Sequence, residues 1–295
     1  MREFYITTDS NSDLPQEYID KFGTVIIPQY YSFGDTVYGD ELNMPPAEFY
    51  DRMKGGELPQ SQANNPAVIE EKFRSILEKG CDIIHLGFSS SLSSSYGNVC
   101  MVANQLAEEY PEAKITIIDT LMVSLGESIL VIHANEMKEN GATYEEIVAK
   151  IEEMKLHINA QFTVDDLYHL QRGGRVSKTT AMVGSVLNLK PFLFVNVAGS
   201  LTPAGTVRGR KKSIQGMLDR MKASLEDTPD YTMPVGIVHA NCLEDAKALA
   251  ERVKNEIGFT NFIINDISPS IGVHTGPGAM GLLYYGAIRM NGEQM

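Results

Sequence analysis

Residues 115–133 read ITIIDTLMVSLGESILVIH, the longest apolar stretch of a 295-residue chain. How it is read decides the fold. A membrane-spanning helix needs about 20 nearly uninterrupted apolar residues, whereas Asp119, Gly126 and Glu127 break this run. It divides instead into a β-branched strand, Ile115 to Ile118, and a helix in which Met122, Leu125, Ile129 and Ile132 step by three and four and so share one apolar face. A strand followed by an amphipathic helix is one unit of an α/β repeat, and the alternation recurs on both sides.

Towards the N-terminus, residues 4–8, 25–27 and 83–87 read as strands, and Tyr96, Val99, Ala103, Leu106 and Tyr110 again give one helical face. Towards the C-terminus, a helix stop at Asn140-Gly141 precedes GATYEEIVAKIEEMK, whose Tyr144, Ile147, Ile151 and Met154 repeat the spacing and read as a connecting helix. Beyond it lie the basic segment QRGGRVSK (171–178) and two strands in KPFLFVNVAGSLTPAG around a turn at Ala198 to Ser200. A helix over 209–225, a strand in PVGIVHA, a helix in CLEDAKALAERVKNEIG, a strand in FIINDIS and an apolar GLLYYGAI complete the pattern. The expectation is a two-domain α/β protein. Residues 1–156 would form a Rossmann-like domain on a parallel sheet, and residues 157–295 an α/β domain on a mixed sheet.

The formal charge of -13 excludes a nucleic-acid partner, which needs a basic face. The local exception is RGRKKS, 208–213, read either as a solvated helix start or as a contact for an anion or partner. Cys81, Cys100 and Cys242 are odd in number and far apart, which fits buried thiols in a reducing cytoplasm. The opening MREFYITTDS lacks the apolar core of a signal peptide. No H-E-x-x-H, paired-cysteine, G-x-S-x-G or P-loop pattern occurs, so zinc, serine-hydrolase and ATP-holding readings are set aside.

Four polar turns remain as candidate sites. In TTDSNSDLP (7–15), Thr8, Asp9, Ser10, Asn11 and Ser12 follow a strand, where ligands of parallel sheets collect, although capping alone accounts for them too. In FSSSLSSSYGNV (88–99), serines crowd before a helix whose N-terminal amides favour an anion. One cap needs one serine, so the surplus favours anion binding, and LPQSQANNP (58–66) could face it. In HTGPGAMG (274–281), Gly276, Gly278 and Gly281 fit G-x-G-x-x-G. A dinucleotide loop, however, requires a strand before, a helix after and a later acidic residue, and no room for these is seen in the sequence.

TDSNSDLP at 8–15, QSQ at 60–62, SSSLSSSY at 89–96, DT at 119–120, LQRGGRVS at 170–177, RGRKK at 208–212 and IGVHTGPGAMGL at 271–282 together resemble the DegV family of bacterial lipid-binding proteins, over nearly the full length. The resemblance implies one long-chain fatty acid held between two α/β domains, with no cofactor. It also implies a separate ATP-dependent kinase partner that phosphorylates the bound carboxylate, and transient exchange at membrane surfaces. Carried over by motif, the carboxylate site is Ser61, Gln62, Ser93, Ser94 and His274, supported by Gln60, Asp9, Ser10, Ser95 and Gly276. Gln60 stands where the family usually has threonine, Ser94 where it has glycine, Ser95 where it has threonine, and Gln171 where arginine is commoner. Arg172, Arg175, Arg208, Arg210 and Lys211 are carried over as partner-facing residues, the first two alternatively as contacts between the domains. His274 is expected to donate, either protonated or through one nitrogen. Phe88, Phe162, Leu187, Leu189, Phe192 and Phe194 are candidates for the tunnel wall. Two further readings stand beside this one: an autonomous phosphotransferase or phosphatase using Asp9, Asp119 and the serine loops around magnesium, and a carrier of another amphiphilic acid.

Overall fold

The computed structural model describes residues 2–177 and 189–291. Strands β1 (Phe4–Asp9), β2 (Val25–Ile27), β6 (Asp82–Gly87) and β7 (Ile115–Asp119) form an all-parallel sheet in the order β2-β1-β6-β7. These are the strands expected from the β-branched runs. Helices α3 (Pro66–Leu77) and α4 (Ser95–Glu109) cover one face of this sheet, burying Ile69, Phe73, Ile76, Val99 and Leu106.

The second sheet is mixed and has six strands: β8 (Ile158–Thr163), β9 (Leu189–Val195), β10 (Leu201–Arg208), β11 (Val235–His239), β12 (Phe262–Asp266) and β13 (Met280–Tyr285). Their order is β10-β9-β8-β13-β11-β12; only β11 and β12 run parallel. The last strand thus enters the middle of the sheet. Helices α8 (Arg210–Ser224) and α9 (Leu243–Glu256) cover its outer face around Met217, Leu218, Leu249 and Val253.

Helix α5 (Leu125–Glu139) lies between the sheets, touching β1 and β6 on one side and β8, β11 and β13 on the other. The single apolar face expected from the spacing is therefore too narrow. Ile129, Leu130, Val131 and Ile132 are consecutive and all buried, because both sides of the helix meet a sheet. Met122 belongs to the loop before the helix, where it is buried against Gly126; a Cβ there would lie 2.4 Å from Met122 Cγ and 3.1 Å from Leu283 Cδ2. Helix α6 (Tyr144–Met154), started by a Thr143–Glu146 capping box, leads into β8.

Residues 30–62 add what the sequence pattern did not announce: an antiparallel sheet of β3 (Tyr30–Phe33), β4 (Thr36–Tyr38) and β5 (Gln60–Gln62), and helix α2 (Pro46–Lys54). Onto this unit packs α10 (Pro269–Thr275), which follows β12 in the chain but contacts α2, β3, β5 and α7 (Tyr168–Arg172). Gly272 permits the approach, since a Cβ would meet Tyr50 Oη at 2.6 Å. Among the described residues no helix is long and apolar enough to cross a membrane.

Candidate functional site

A cavity of about 250 Å3 opens where the two sheets, the small sheet and α10 converge. Its exposed edge carries Gln62 and Ser94, with Ser61, Ser93 and His274 alongside. Apolar side chains of the wall include Phe88, Val123, Phe162, Leu201, Ile271 and Leu283, and Asn11, Gln29, Gln161 and Arg175 stand among them. A largely apolar lining with a limited set of polar groups suits an amphiphile.

The clamp residues are brought together by pairing and packing. Ser61 sits opposite Tyr31 in the β3–β5 ladder, and its Oγ lies 2.8 Å from His274 Nε2, a contact spanning 213 residues of sequence. His274 lies in the last turn of α10, one helical turn beyond Ser270, and both line the cavity. The loop after α7 walls off the ring: a Cβ on Gly173 would fall 2.0 Å from His274 Nδ1. Burial, and then Arg175, Arg172 and His169, push the imidazole down to about 3. It is neutral at physiological pH. Of the two forms expected from sequence, only donation through one nitrogen remains for the site as it stands.

The serine loop is divided in its use. Ser93 Oγ donates to Ser95 Oγ at 2.9 Å and accepts from Ser95 N at 3.2 Å. The buried Ser95 hydroxyl also accepts from Asn64 N at 3.3 Å, so the turn before α3 does face the serine turn. Ser94 caps α4 without a side-chain cap bond and is exposed at the cavity edge. Ser89 and Ser91, however, donate to the carbonyls of Gly199 and Ala198 in the β9–β10 turn, at 2.9 and 2.5 Å. The surplus serines partly serve as ties to the second sheet, so their number overstated the case for an anion site.

Several supporting residues are placed elsewhere. Asp9 is buried at the boundary of β1 and β6, where the strand order changes direction, and its carboxylate accepts from Phe88 N at 2.9 Å and Asn11 N at 3.2 Å. An anion bound at such a boundary would use those amides; here the chain supplies its own carboxylate. Burial pushes Asp9 up to about 6 against these bonds and the nearby Gln29 amide. Ser10 Oγ accepts from Gln29 N at 2.9 Å, and Gln60 is exposed; neither lines the cavity. Asp119 accepts from Ser90 N and Leu121 N. Among the described residues no three His, Cys, Asp or Glu side chains converge on a metal position.

The glycine-rich turn runs from a helix into a strand, the reverse of a dinucleotide loop. Gly276 and Gly278 have φ of 72° and 78°, and added Cβ atoms would meet His169 at 2.5 Å and Asp165 at 2.8 Å. They let two protein segments approach each other, so Gly276 acts on the β8–α7 region rather than on the cavity.

The arginines also separate. Arg172 donates to Pro59 O at 2.8 Å and Val273 O at 3.3 Å; Arg175 donates to Leu92 O at 2.8 Å and Gly173 O at 2.6 Å and lines the cavity. These two tie segments of the chain together. Arg210 pairs with Asp245 at 2.8 Å and donates to Gly278 O at 2.9 Å, whereas Arg208 and Lys211 are exposed. Of the tunnel candidates, Phe88 and Phe162 line the cavity. Phe192 packs outward beneath α8, Phe194 lies under the Arg220 guanidinium, Leu189 is outside the lining, and Leu187 lies outside the described residues. Sequence reasoning missed Ser124 and Ser270 in the lining; the i, i+4 spacing of Ser270 and His274 was the available signal.

The family model described as "Uncharacterised protein, DegV family" matches residues 3–287. This chain belongs to the DegV family. A DegV domain-containing protein of Clostridium perfringens is 35% identical over 288 residues, 97% of this chain and 98% of that one. Among solved structures, a DegV family protein from Thermus thermophilus, reported for its fatty acid binding, superposes with a TM-score of 0.85 at 28% identity, covering 97% of this chain and 100% of that one. DegV from Bacillus subtilis, described as a fatty acid binding protein, gives 0.82 at 26% identity over 97% and 99%. The two-domain α/β fold is thus the fold of the DegV family.

Proposed function

We propose that this DegV family chain binds a long-chain fatty acid in the cavity and presents its carboxylate to a separate ATP-dependent kinase for acyl phosphate formation. The observation that carries the reading is the joining of Ser61 and His274 in the lining of one cavity with Ser93, Ser94 and a set of apolar side chains. Each methylene buried against such walls contributes about 0.8 kcal/mol, while a carboxylate needs donors to offset its desolvation. Ser61 and Ser94 supply hydroxyls, Ser93 joins them by turning its proton from Ser95 Oγ, and the neutral His274 donates from Nε2 in one tautomer. A carboxylate against the ring would also favour its protonated form and strengthen the bond.

The fatty-acid-binding relatives support the ligand class. The kinase partner is part of the proposal, and the exposed Arg208 and Lys211 would contact it. In this reading the chain is a non-catalytic cytoplasmic carrier. Its domains, 1–156 and 157–295, meet after α6, and lipid enters and leaves at membrane surfaces. The test is mass spectrometry of lipid extracted from protein purified under native conditions. A stoichiometric long-chain fatty acid is expected; protein that neither carries nor takes up any fatty acid would overturn the reading.

A further inference from the structure

The lining includes one residue in a backbone conformation that side chains rarely adopt. Ser124, the residue before α5, has φ 52° and ψ -141°, a region suited to glycine, and such strain persists where surrounding contacts hold it and often marks a ligand site. Two contacts hold Ser124 to the turn after β1. Its amide donates to Asn11 O at 3.0 Å, and its hydroxyl donates to the carboxylate of Asp13. Asp13 is itself buried, with φ 55°, and grips the other side of the cavity as well: its Oδ1 accepts from Ser268 N at 3.0 Å and its carbonyl from Asn265 Nδ2 at 2.8 Å, just ahead of the helix that bears Ser270 and His274.

While Asp13 is ionised, the only proton of the Ser124 hydroxyl is committed to it, and Ser124 shows the cavity lone pairs alone. When Asp13 takes a proton from solvent on Oδ2, that O–H can donate to Ser124 Oγ, and the Ser124 proton is free to turn into the cavity. Oδ1 continues to accept from Ser268 N in both states. No bond other than hydrogen bonds is made or broken. We propose that Ser124 is a further ligand-binding residue of this cavity, donating to the polar end of a carboxylate-bearing amphiphile when Asp13 is protonated, with Asp13 as its positioning residue.

The proton is available near neutrality. Burial pushes Asp13 up to about 7, against the bonds from Ser124 and Ser268 and with a small further push from Asp266. The titratable groups facing Asp13 are Glu127 on α5, Tyr50 on α2 and Asp266 on β12, the last lying 3.2 Å from His239 on β11. Burial pushes the Glu127 carboxyl well above the carboxylate range and the Tyr50 phenol well above the phenol range, which favours the neutral form of each beside Asp13.

The inference rests on the lipid-binding reading and is tested with radiolabelled palmitate between pH 8.5 and 6 on wild type, Asp13→Asn, and Ser124→Gly, which removes the hydroxyl while suiting the backbone. In Asp13→Asn, Oδ1 still accepts from Ser268 N and Nδ2 donates permanently to Ser124 Oγ, imitating the protonated state. Wild type should bind tighter at pH 6 by about fivefold, one hydrogen bond's worth, beyond any change seen in the variants. Asp13→Asn should bind at the low-pH affinity throughout, and Ser124→Gly at the high-pH affinity throughout. Palmitate's own titration is common to all three. If Asp13→Asn keeps the wild-type pH slope, or Ser124→Gly matches wild type at pH 6, the assignment of Ser124 and Asp13 is wrong although lipid binding stands. If wild type takes up no palmitate at any pH, the lipid reading itself fails.

Discussion

Ser61 Oγ and His274 Nε2 meet at 2.8 Å although one belongs to a three-residue strand near the N-terminus and the other to a short helix near the C-terminus. The contact exists because α10 leaves the mixed sheet and packs on the small sheet of the other half. The polar part of the cavity lining therefore depends on chain segments that no local interaction connects.

Removing two of the clamp groups tests the charge of the ligand head. Ser93→Ala combined with His274→Ala should weaken palmitate binding by about tenfold or more, as expected for charge-assisted bonds, and should weaken methyl palmitate much less. Competition binding of both lipids to both proteins decides it; equal weakening would sink the carboxylate assignment.

Gly173 and Gly174 are adjacent but required for different reasons. Gly173 has no room for a Cβ because His274 Nδ1 would lie 2.0 Å away, whereas Gly174 faces open space with φ 74°. Gly173→Ala should displace the imidazole and cut fatty acid affinity by about tenfold, the scale of a lost charge-assisted bond. Gly174→Ala should leave affinity near wild type and cost only about 1 kcal/mol of folding stability through backbone strain. Titration and urea unfolding of each variant separate the two, and equal affinity losses would refute the distinction.

Glu127 gives a pH dependence whose sign is fixed by burial. It is fully buried, accepts from Thr8 Oγ1 at 2.7 Å, and is raised well above the usual carboxylate range by burial first and by Asp9 and Asp13 after it. A folded-state pKa above the unfolded one gives stability that is complete below the unfolded pKa and is lost as pH rises through the folded one. Glu127→Gln removes that loss, so the variant should gain on wild type as pH rises from 5 to 9. His85 and His274, both pushed down to about 3, lose stability in the opposite direction, but equally in both proteins. Chemical denaturation across this range would expose the error as a pH-independent difference.

The exposed cations Arg208 and Lys211 contrast with Arg210, which is already paired with Asp245. Reversing both, Arg208→Glu with Lys211→Glu, should leave lipid content unchanged and reduce association with the proposed kinase severalfold, since exposed charges act mainly on encounter. Copurified lipid and a pull-down with the kinase are the two readouts. Lipid loss with intact association would reverse the assignment.

The sequence by itself determined the parallel sheet, the covering helices and the order of the polar turns, because β-branched runs and three-to-four spacing are local patterns set by strand and helix geometry. It was silent on β3, β4 and α2, whose strands are too short to show alternation, and it gave α5 one apolar face where two sheets bury most of the helix. It named Ser61, Ser93, Ser94 and His274 one by one. Only the tertiary structure decided that they share one cavity, that Ser89 and Ser91 turn instead to the second sheet, and that Asp9 fills the strand boundary with its own carboxylate. These are contacts between distant segments. The same side chain can cap, tie or bind, and which donor and acceptor it meets is set by packing that sequence spacing does not encode.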